Sequence, residues 1–280
     1  MTPDQYCEQQ AAKSGSSFYY SFLFLEPERR QAIVAFYAFC REVDDVVDEC
    51  SDPALAATKL AWWRSEIDAL HSGYPGRSGH PVTQALAGAV HRYGLRREHL
   101  LEIIDGMEMD LQQSRYADFA ALELYCHRVA GVVGTAAARI FGHSNEQTLH
   151  YAHELGLAFQ LTNIIRDVGE DAGRGRIYLP LDELQRFGVS PGDLLTRRYS
   201  DAFRRLMEFQ IERALACYAR AMAQLPAEDR KAQRPGLVMA AIYRRLLENI
   251  GRDGCRVLDR RATLTPWSKL WLAWRTWVRG

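Results

Sequence analysis

Across 280 residues, Val, Ile and Thr never alternate with polar residues over a stretch long enough to make a convincing strand. Ala, Leu, Glu, Arg and Gln instead fill long segments between breakers, and these residues cost little in a helix. The pattern predicts a helix that opens near Pro27 and runs to about Glu49, and a second opened by Asp52 and Pro53. Further helices are expected near 82–93, 97–113, 118–141, 145–171, 199–225 and 235–251. Residues 71–81, rich in Gly, Pro and Ser, read as a loop, and 172–192 as the longest irregular connection of the second half. No tandem repeat or low-complexity linker interrupts the series. The expectation is one all-α domain over 1–280 with short antiparallel connections.

Two acidic blocks break the amphipathic pattern. They are Asp44-Asp45-Val46-Val47-Asp48 and Asp167-Val168-Gly169-Glu170-Asp171, the second with Asn163 one turn before it. At helical pitch Asp44 and Asp48 point the same way, as do Asn163, Asp167 and Asp171. Like charges at that spacing destabilise an isolated helix by roughly 0.2–0.5 kcal/mol per pair. Charged pairs on helices are usually solvated surface, but the apolar stripe Ile33, Phe36, Tyr37, Cys40 continues directly into Asp44 and Asp48. Leu157, Leu161, Ile164 and Val168 crowd the second line in the same way. Carboxylates held near an apolar interior need partners, because an unpaired buried charge is costly. Oxygen donors select Mg²⁺ or Mn²⁺ (Ca²⁺ shares the preference) over zinc. The helical spacing excludes an EF-hand, and a di-iron bundle would show a Glu-x-x-His pair that neither block contains.

Basic residues stand where a phosphate would want them. Arg41 lies one turn before Asp44, and Arg174 and Arg176 follow Asp171 closely. Acid, divalent cation and guanidinium together hold and activate a diphosphate leaving group. The bland alternatives are a local salt bridge for Arg41 and loop solubility for the other two. Aromatic residues crowd the neighbouring segments: Phe18, Tyr19, Tyr20, Phe22 and Phe24 in a first helix, then Phe36, Tyr37 and Phe39. Most belong to a core, while some can line a pocket for a polyene and stabilise a cation with their ring faces.

The bulk numbers exclude other classes. Thirty-five basic residues balance thirty-five acidic ones, so no electrostatic footprint for nucleic acid exists. Six cysteines lack any CxxC spacing and the opening residues are polar rather than signal-like, which points to reduced thiols in a cytoplasmic protein. No apolar run approaches the ~18 residues of a membrane span. The tail at about 265–280 packs four Trp among basic residues, which suits either a peripheral helix on the inner membrane surface or a last helix docked on the core.

Five segments in order carry a specific resemblance. They are Ser16-Ser17-Phe18-Tyr19-Tyr20, the run from Tyr37 to Asp48, Tyr125-Cys126-His127-Arg128-Val129-Ala130-Gly131-Val132-Val133-Gly134, the run from Gln160 to Asp171, and Gly175-Arg176-Ile177-Tyr178-Leu179-Pro180. Over nearly its full length the chain resembles the squalene/phytoene synthase family. Within it, Ser-Phe-Tyr-Tyr and Cys-Arg-Glu-Val-Asp-Asp-Val-Val-Asp-Glu look most like the presqualene diphosphate synthases of bacterial hopanoid pathways. The resemblance implies an all-α isoprenoid-synthase fold with a central cavity. Asp44 and Asp48 would bind Mg²⁺ from one wall, and Asn163, Asp167 and Asp171 from the facing wall, with Asp45 a less certain ligand. Arg41, Arg176 and Arg260 match positions that grip diphosphate, and Ser17, Tyr37, Tyr125, Val129, Gln160, Tyr178 and Tyr243 match positions that line the cavity.

The implied reaction joins two farnesyl diphosphates. One loses diphosphate to give an allylic cation, the double bond of the other attacks it, and loss of a proton closes a cyclopropane. The released diphosphate or a tyrosine hydroxyl such as that of Tyr125 takes the proton. No Gly-x-Gly-x-x-Gly fingerprint is present, and no NADPH is expected. The chain ends in its Trp-rich tail instead of the long hydrophobic anchor of eukaryotic squalene synthases. Alternatives within the family are a phytoene, dehydrosqualene or squalene synthase. Outside enzymes the alternatives are a catalytically silent assembly relative and a membrane-interface binding protein.

Overall fold

The computed structural model describes residues 1–13, 21–22, 24–50, 52–72 and 79–279. Among these residues every regular element is helical, and the only pairing of strand type is an isolated bridge between Arg115 and Ile177. The helices are α1 (Pro3–Lys13), α2 (Pro27–Glu49), α3 (Pro53–His71), α4 (Pro81–Tyr93), α5 (Arg97–Gln112), α6 (Phe119–Cys126), α7 (Val132–Phe141), α8 (Gln147–Gly173), α9 (Leu181–Phe187), α10 (Pro191–Leu195), α11 (Asp201–Gln224), α12 (Arg234–Arg252) and α13 (Pro266–Arg279).

Local chemistry sets many of the boundaries. Pro27, Pro53 and Pro81 each sit in the first turn of a helix, where a missing N–H costs nothing. Asp52, Asp118 and Ser200 accept from backbone N–H groups at the starts of α3, α6 and α11. Gly94 ends α4 in the left-handed region at φ 61°. Two expectations need correction. Residues 172–192 are not wholly irregular, because Pro180 starts α9 and a capping box between Ser190 and Asp193 starts α10. Residues 118–141 are not one uniform helix either, because a π turn at His127–Gly131 separates α6 from α7.

That π turn positions the site. Tyr125, Val129, Val133, Ala137 and Phe141 follow one another at intervals of four and all face one cavity. On a straight α-helix such a line drifts, since a turn takes 3.6 residues. The wider π turn offsets the drift and keeps the line on one side. The same segment lies against α8 with backbones nearly touching. A Cβ on Gly156 would stand 2.2 Å from the carbonyl oxygen of Ala130, and one on Gly134 2.2 Å from that of Ala152.

Buried side chains form two clusters. One gathers α1 to α5 with Val132, Ala136, Ile140 and Phe141, and the other gathers α6 with α8 and the helices after it. Val129 packs against both. The cavity lies between them, since its lining draws Ile33, Phe36 and Met107 from the first cluster and Tyr151, Leu155 and Met239 from the second. α8 runs through the middle, packed along α11, α7 and the π turn.

Candidate active site

The cavity encloses about 430 Å³. Three helices lay long stripes along it: Ile33 to Asp44 on α2, Tyr151 to Arg166 on α8, and Pro235 to Leu246 on α12. At 1.5 Å per residue the stripes run about 16–23 Å. One end of the tube is apolar and aromatic. The other carries Arg41, Asp44, Asn163, Arg166, Arg261 and Lys269.

The two acidic blocks meet at this polar end. Arg174 and Arg176, three and five residues after Asp171, each donate to Asp48 at 2.7 Å. The end of α2 and the end of α8 therefore lie within one side chain of each other. Arg41 donates to Asp44 at 2.7 Å and also bonds Asp45, so the local salt bridge anticipated from its spacing is present. Arg166 grips Asp167 with two hydrogen bonds of 2.7 and 2.5 Å, and Arg261 adds a third at 2.9 Å.

Burial governs the acids. It pushes Asp44 up to about 6, with Arg41 pulling down and Asp48, Asp45 and Asp110 pushing up. It pushes Asp171 up to about 7, where the charge of Asp167 adds to the effect and Arg174 and Arg176 oppose it. Asp48 is the exception: burial would raise it, but hydrogen bonds from Arg176 and Arg174 hold it below the ordinary carboxylate range. Burial is the larger cause at both Asp44 and Asp171, and neighbouring carboxylates add to it. Asn163 Oδ1, on the α8 wall one turn before Asp167, is buried without a hydrogen-bond partner among the described residues. The donors are all oxygen, the class that a hard divalent cation takes, while among the described residues no three acidic side chains converge to hold one with the arginines seated on them.

Most of the residues expected at the site are brought to it. Tyr37, Arg41, Asp44, Tyr125, Val129, Gln160, Asn163 and Tyr243 line the cavity. Asp48, Asp171, Arg176 and Tyr178 lie beside its polar end, with Arg176 reaching Asp48 and Tyr178 stacked on Tyr125. Ser17, together with Phe18, Tyr19 and Tyr20, lies outside the described residues. Phe24 is not in a helix of aromatic residues but in the turn before α2, half-exposed against Trp277. Arg260 is turned away and pairs with Asp253, while its neighbour Arg261 lines the cavity and takes Asp167.

Sequence reasoning missed Asp110. Its carboxylate accepts from Tyr125 and Tyr178, both at 2.9 Å, and burial pushes it up to about 6 against Arg176 and these two hydrogen bonds. The signal was available: Ile103, Met107 and Asp110 share a face of α5, so this acid too continues an apolar stripe. Arg166, Arg261 and Lys269 were missed as well, and only Arg166, between Asn163 and Asp167, had a sequence position that marked it.

The comparisons agree with this geometry. The family model for squalene/phytoene synthase matches residues 11–268. Phytoene synthase of Arthrospira platensis is 36% identical over 277 residues, covering 94% of this chain and 89% of that one. Presqualene diphosphate synthase of Sinorhizobium fredii is 38% identical over 235 residues, covering 84% and 83%. A solved dehydrosqualene synthase in complex with ligand superposes with a TM-score of 0.87 at 28% identity, over 99% of this chain and 96% of that one. Paired acidic helix ends around an apolar tube, and likeness over almost the whole length, place this chain in the squalene/phytoene synthase family of prenyltransferases.

Proposed function

We propose that the chain condenses two farnesyl diphosphates head to head, giving presqualene diphosphate and free diphosphate with Mg²⁺ (or Mn²⁺) as cofactor. The observation that carries this reading is the tube with one acidic end. Stripes of about 16–23 Å are long enough for an extended fifteen-carbon chain. The local run from Cys40 to Glu49 and the Sinorhizobium relative favour presqualene diphosphate as product.

Asp44, Asp48, Asn163, Asp167 and Asp171 would hold the cation, whose positive charge would offset that of a departing diphosphate. Arg41, Arg176, Arg166, Arg261 and Lys269 surround the same end and would supply hydrogen bonds to its oxygens. As the C–O bond breaks, the allylic cation is left among Tyr37, Phe159 and Tyr243, whose ring faces favour positive charge. The apolar lining excludes water that would quench it. The double bond of the second substrate attacks, and a carbon-bound proton must leave for the cyclopropane to close. Of the two acceptors considered, the released diphosphate and a tyrosine hydroxyl, we assign the proton to Tyr125. Its hydroxyl already donates to Asp110, so its oxygen can accept a proton as its own passes to the carboxylate. Burial holds the Tyr125 hydroxyl well above its ordinary value, which favours such a relay over a standing phenolate.

A second reading, condensation of geranylgeranyl diphosphate to phytoene, is favoured by the Arthrospira relative. Incubation of purified protein with each diphosphate and Mg²⁺, without NADPH, separates the two. Accumulation of presqualene diphosphate from the farnesyl substrate supports the proposal. A hydrocarbon product, or turnover of the geranylgeranyl substrate alone, overturns it.

A further inference from the structure

The C-terminal helix α13 is apolar on two faces, and only one of them is covered. Leu272 and Ala273 are buried in the core, and Trp277 packs on Phe24 with ring centroids 5.0 Å apart. On the opposite side Trp267, Trp271, Trp274 and Val278 follow at intervals of four, three and four, which makes one continuous stripe. These four are 81%, 51%, 60% and 62% exposed, and Leu270 beside them is 39% exposed. Isolated apolar residues on a surface need no explanation, but a ridge of three tryptophans does.

Charge identifies what covers it. The last twenty-one residues contain no acidic residue, in a chain whose overall charge is zero. Of their five basic residues, Arg260 pairs with Asp253, and Arg261 and Lys269 line the cavity, which leaves Arg275 and Arg279 as the charges of the tail itself. Arg275 lies over the ring of Trp271 at 5.1 Å, on the flank of the stripe. A helix with outward Trp and only basic charge matches the interface of an anionic bilayer, where indole rings sit at headgroup depth and cations meet lipid phosphate. A second copy of this chain would present the same positive charge to itself.

We infer that the exposed face of α13 docks the protein on an anionic lipid surface, with Trp267, Trp271 and Trp274 as the inserted side chains. The cavity lies at the root of this helix, since Ala262, Thr263, Leu264 and Lys269 line it. Vesicle binding does not depend on the activity proposed above, so either can fail without the other.

The test is cosedimentation of the full chain with phosphatidylcholine vesicles with and without phosphatidylglycerol. The expected result is pelleting with the anionic vesicles, weakened by salt, and a drop of about tenfold or more in partitioning for Trp267→Ser/Trp271→Ser/Trp274→Ser. These side chains leave the core untouched, so the variant should keep its helical circular dichroism, its melting temperature and its turnover in vesicle-free buffer. Three results would overturn the inference: no pelleting of the parent, equal pelleting of parent and variant, or a parent dimer that the variant dissociates without any vesicle binding.

Discussion

The hydroxyl of Tyr125 donates to the carboxylate of Asp110 across 2.9 Å, and this bond lies between the cavity and the buried face of α5. Tyr178 donates to the other oxygen of the same carboxylate, also at 2.9 Å. Asp110→Asn keeps the shape and removes the proton acceptor. It is expected to lower kcat about 100-fold or more, with KM changed only a few-fold. Tyr125→Phe should fall to a similar level, and the double variant little further, because the two act as one relay. Losses that multiply in the double variant would assign Asp110 a separate structural role.

Asp171 illustrates a cost that the folded protein carries for its site. The carboxylate is buried beside Asp167 and within the field of Asp110. Removing its charge with Asp171→Asn should therefore stabilise the metal-free protein, by roughly 1–4 kcal/mol, while abolishing turnover. Thermal melts check this directly. The gain should shrink or reverse once Mg²⁺ and inorganic diphosphate are added, because they stabilise the parent alone. A variant that melts lower than the parent in metal-free buffer would mean that Asp171 is a structural acid.

The opposite behaviour is expected at Asp229. Its carboxylate accepts from Ser144 N at 2.8 Å, Ser144 Oγ at 2.7 Å, Asn145 N at 3.0 Å and Thr148 Oγ1 at 2.6 Å, tying the loop before α12 to the start of α8. Burial alone would raise its pKa, but these hydrogen bonds outweigh it and bring it down to about 2. The folded value lies below the ordinary 3.8, so the stability it contributes is present above about pH 4 and is lost as pH falls toward 2. Asp229→Asn should cost about 2 kcal/mol at neutral pH. Urea melts should show the gap from the parent closing over that acid range, and a gap independent of pH would contradict the assignment.

Close backbone packing behind the cavity can be tested with one carbon. A Cβ at position 156 would overlap the Ala130 carbonyl at 2.2 Å, so α8 and the π turn must separate to admit it. Gly156→Ala is expected to destabilise by about 1–3 kcal/mol, despite the better helix propensity of Ala. Equal or higher stability would mean that the two backbones stand further apart than a Cβ contact of 2.2 Å requires.

The helices and the acidic walls were legible in the sequence for one reason. Both are periodic, and a carboxylate on an apolar stripe stands out against a pattern set by its neighbours. Asp44, Asp48 and the line from Asn163 to Asp171 were found in this way, and Asp110 obeys the same rule within α5. Arg261 was not legible, because it lies in an irregular segment where no period says whether it or Arg260 faces inward. The π turn was hidden for a related cause: the run from Tyr125 to Phe141 is apolar on several sides, and its extra residue per turn shows only when the contacts with α8 are seen. Tail composition alone left two readings open for the tryptophans. The structure divides them, with Trp277 on the protein and three others turned outward.

The most direct test of the two-walled site is calorimetric binding of inorganic diphosphate to the parent, to Asp44→Asn and to Asp171→Asn, each with Mg²⁺ and with EDTA. A cation shared by both helices predicts that the parent binds only with Mg²⁺ and that either substitution weakens binding by about tenfold or more. Undiminished affinity in EDTA, or in a variant of one helix alone, would contradict it.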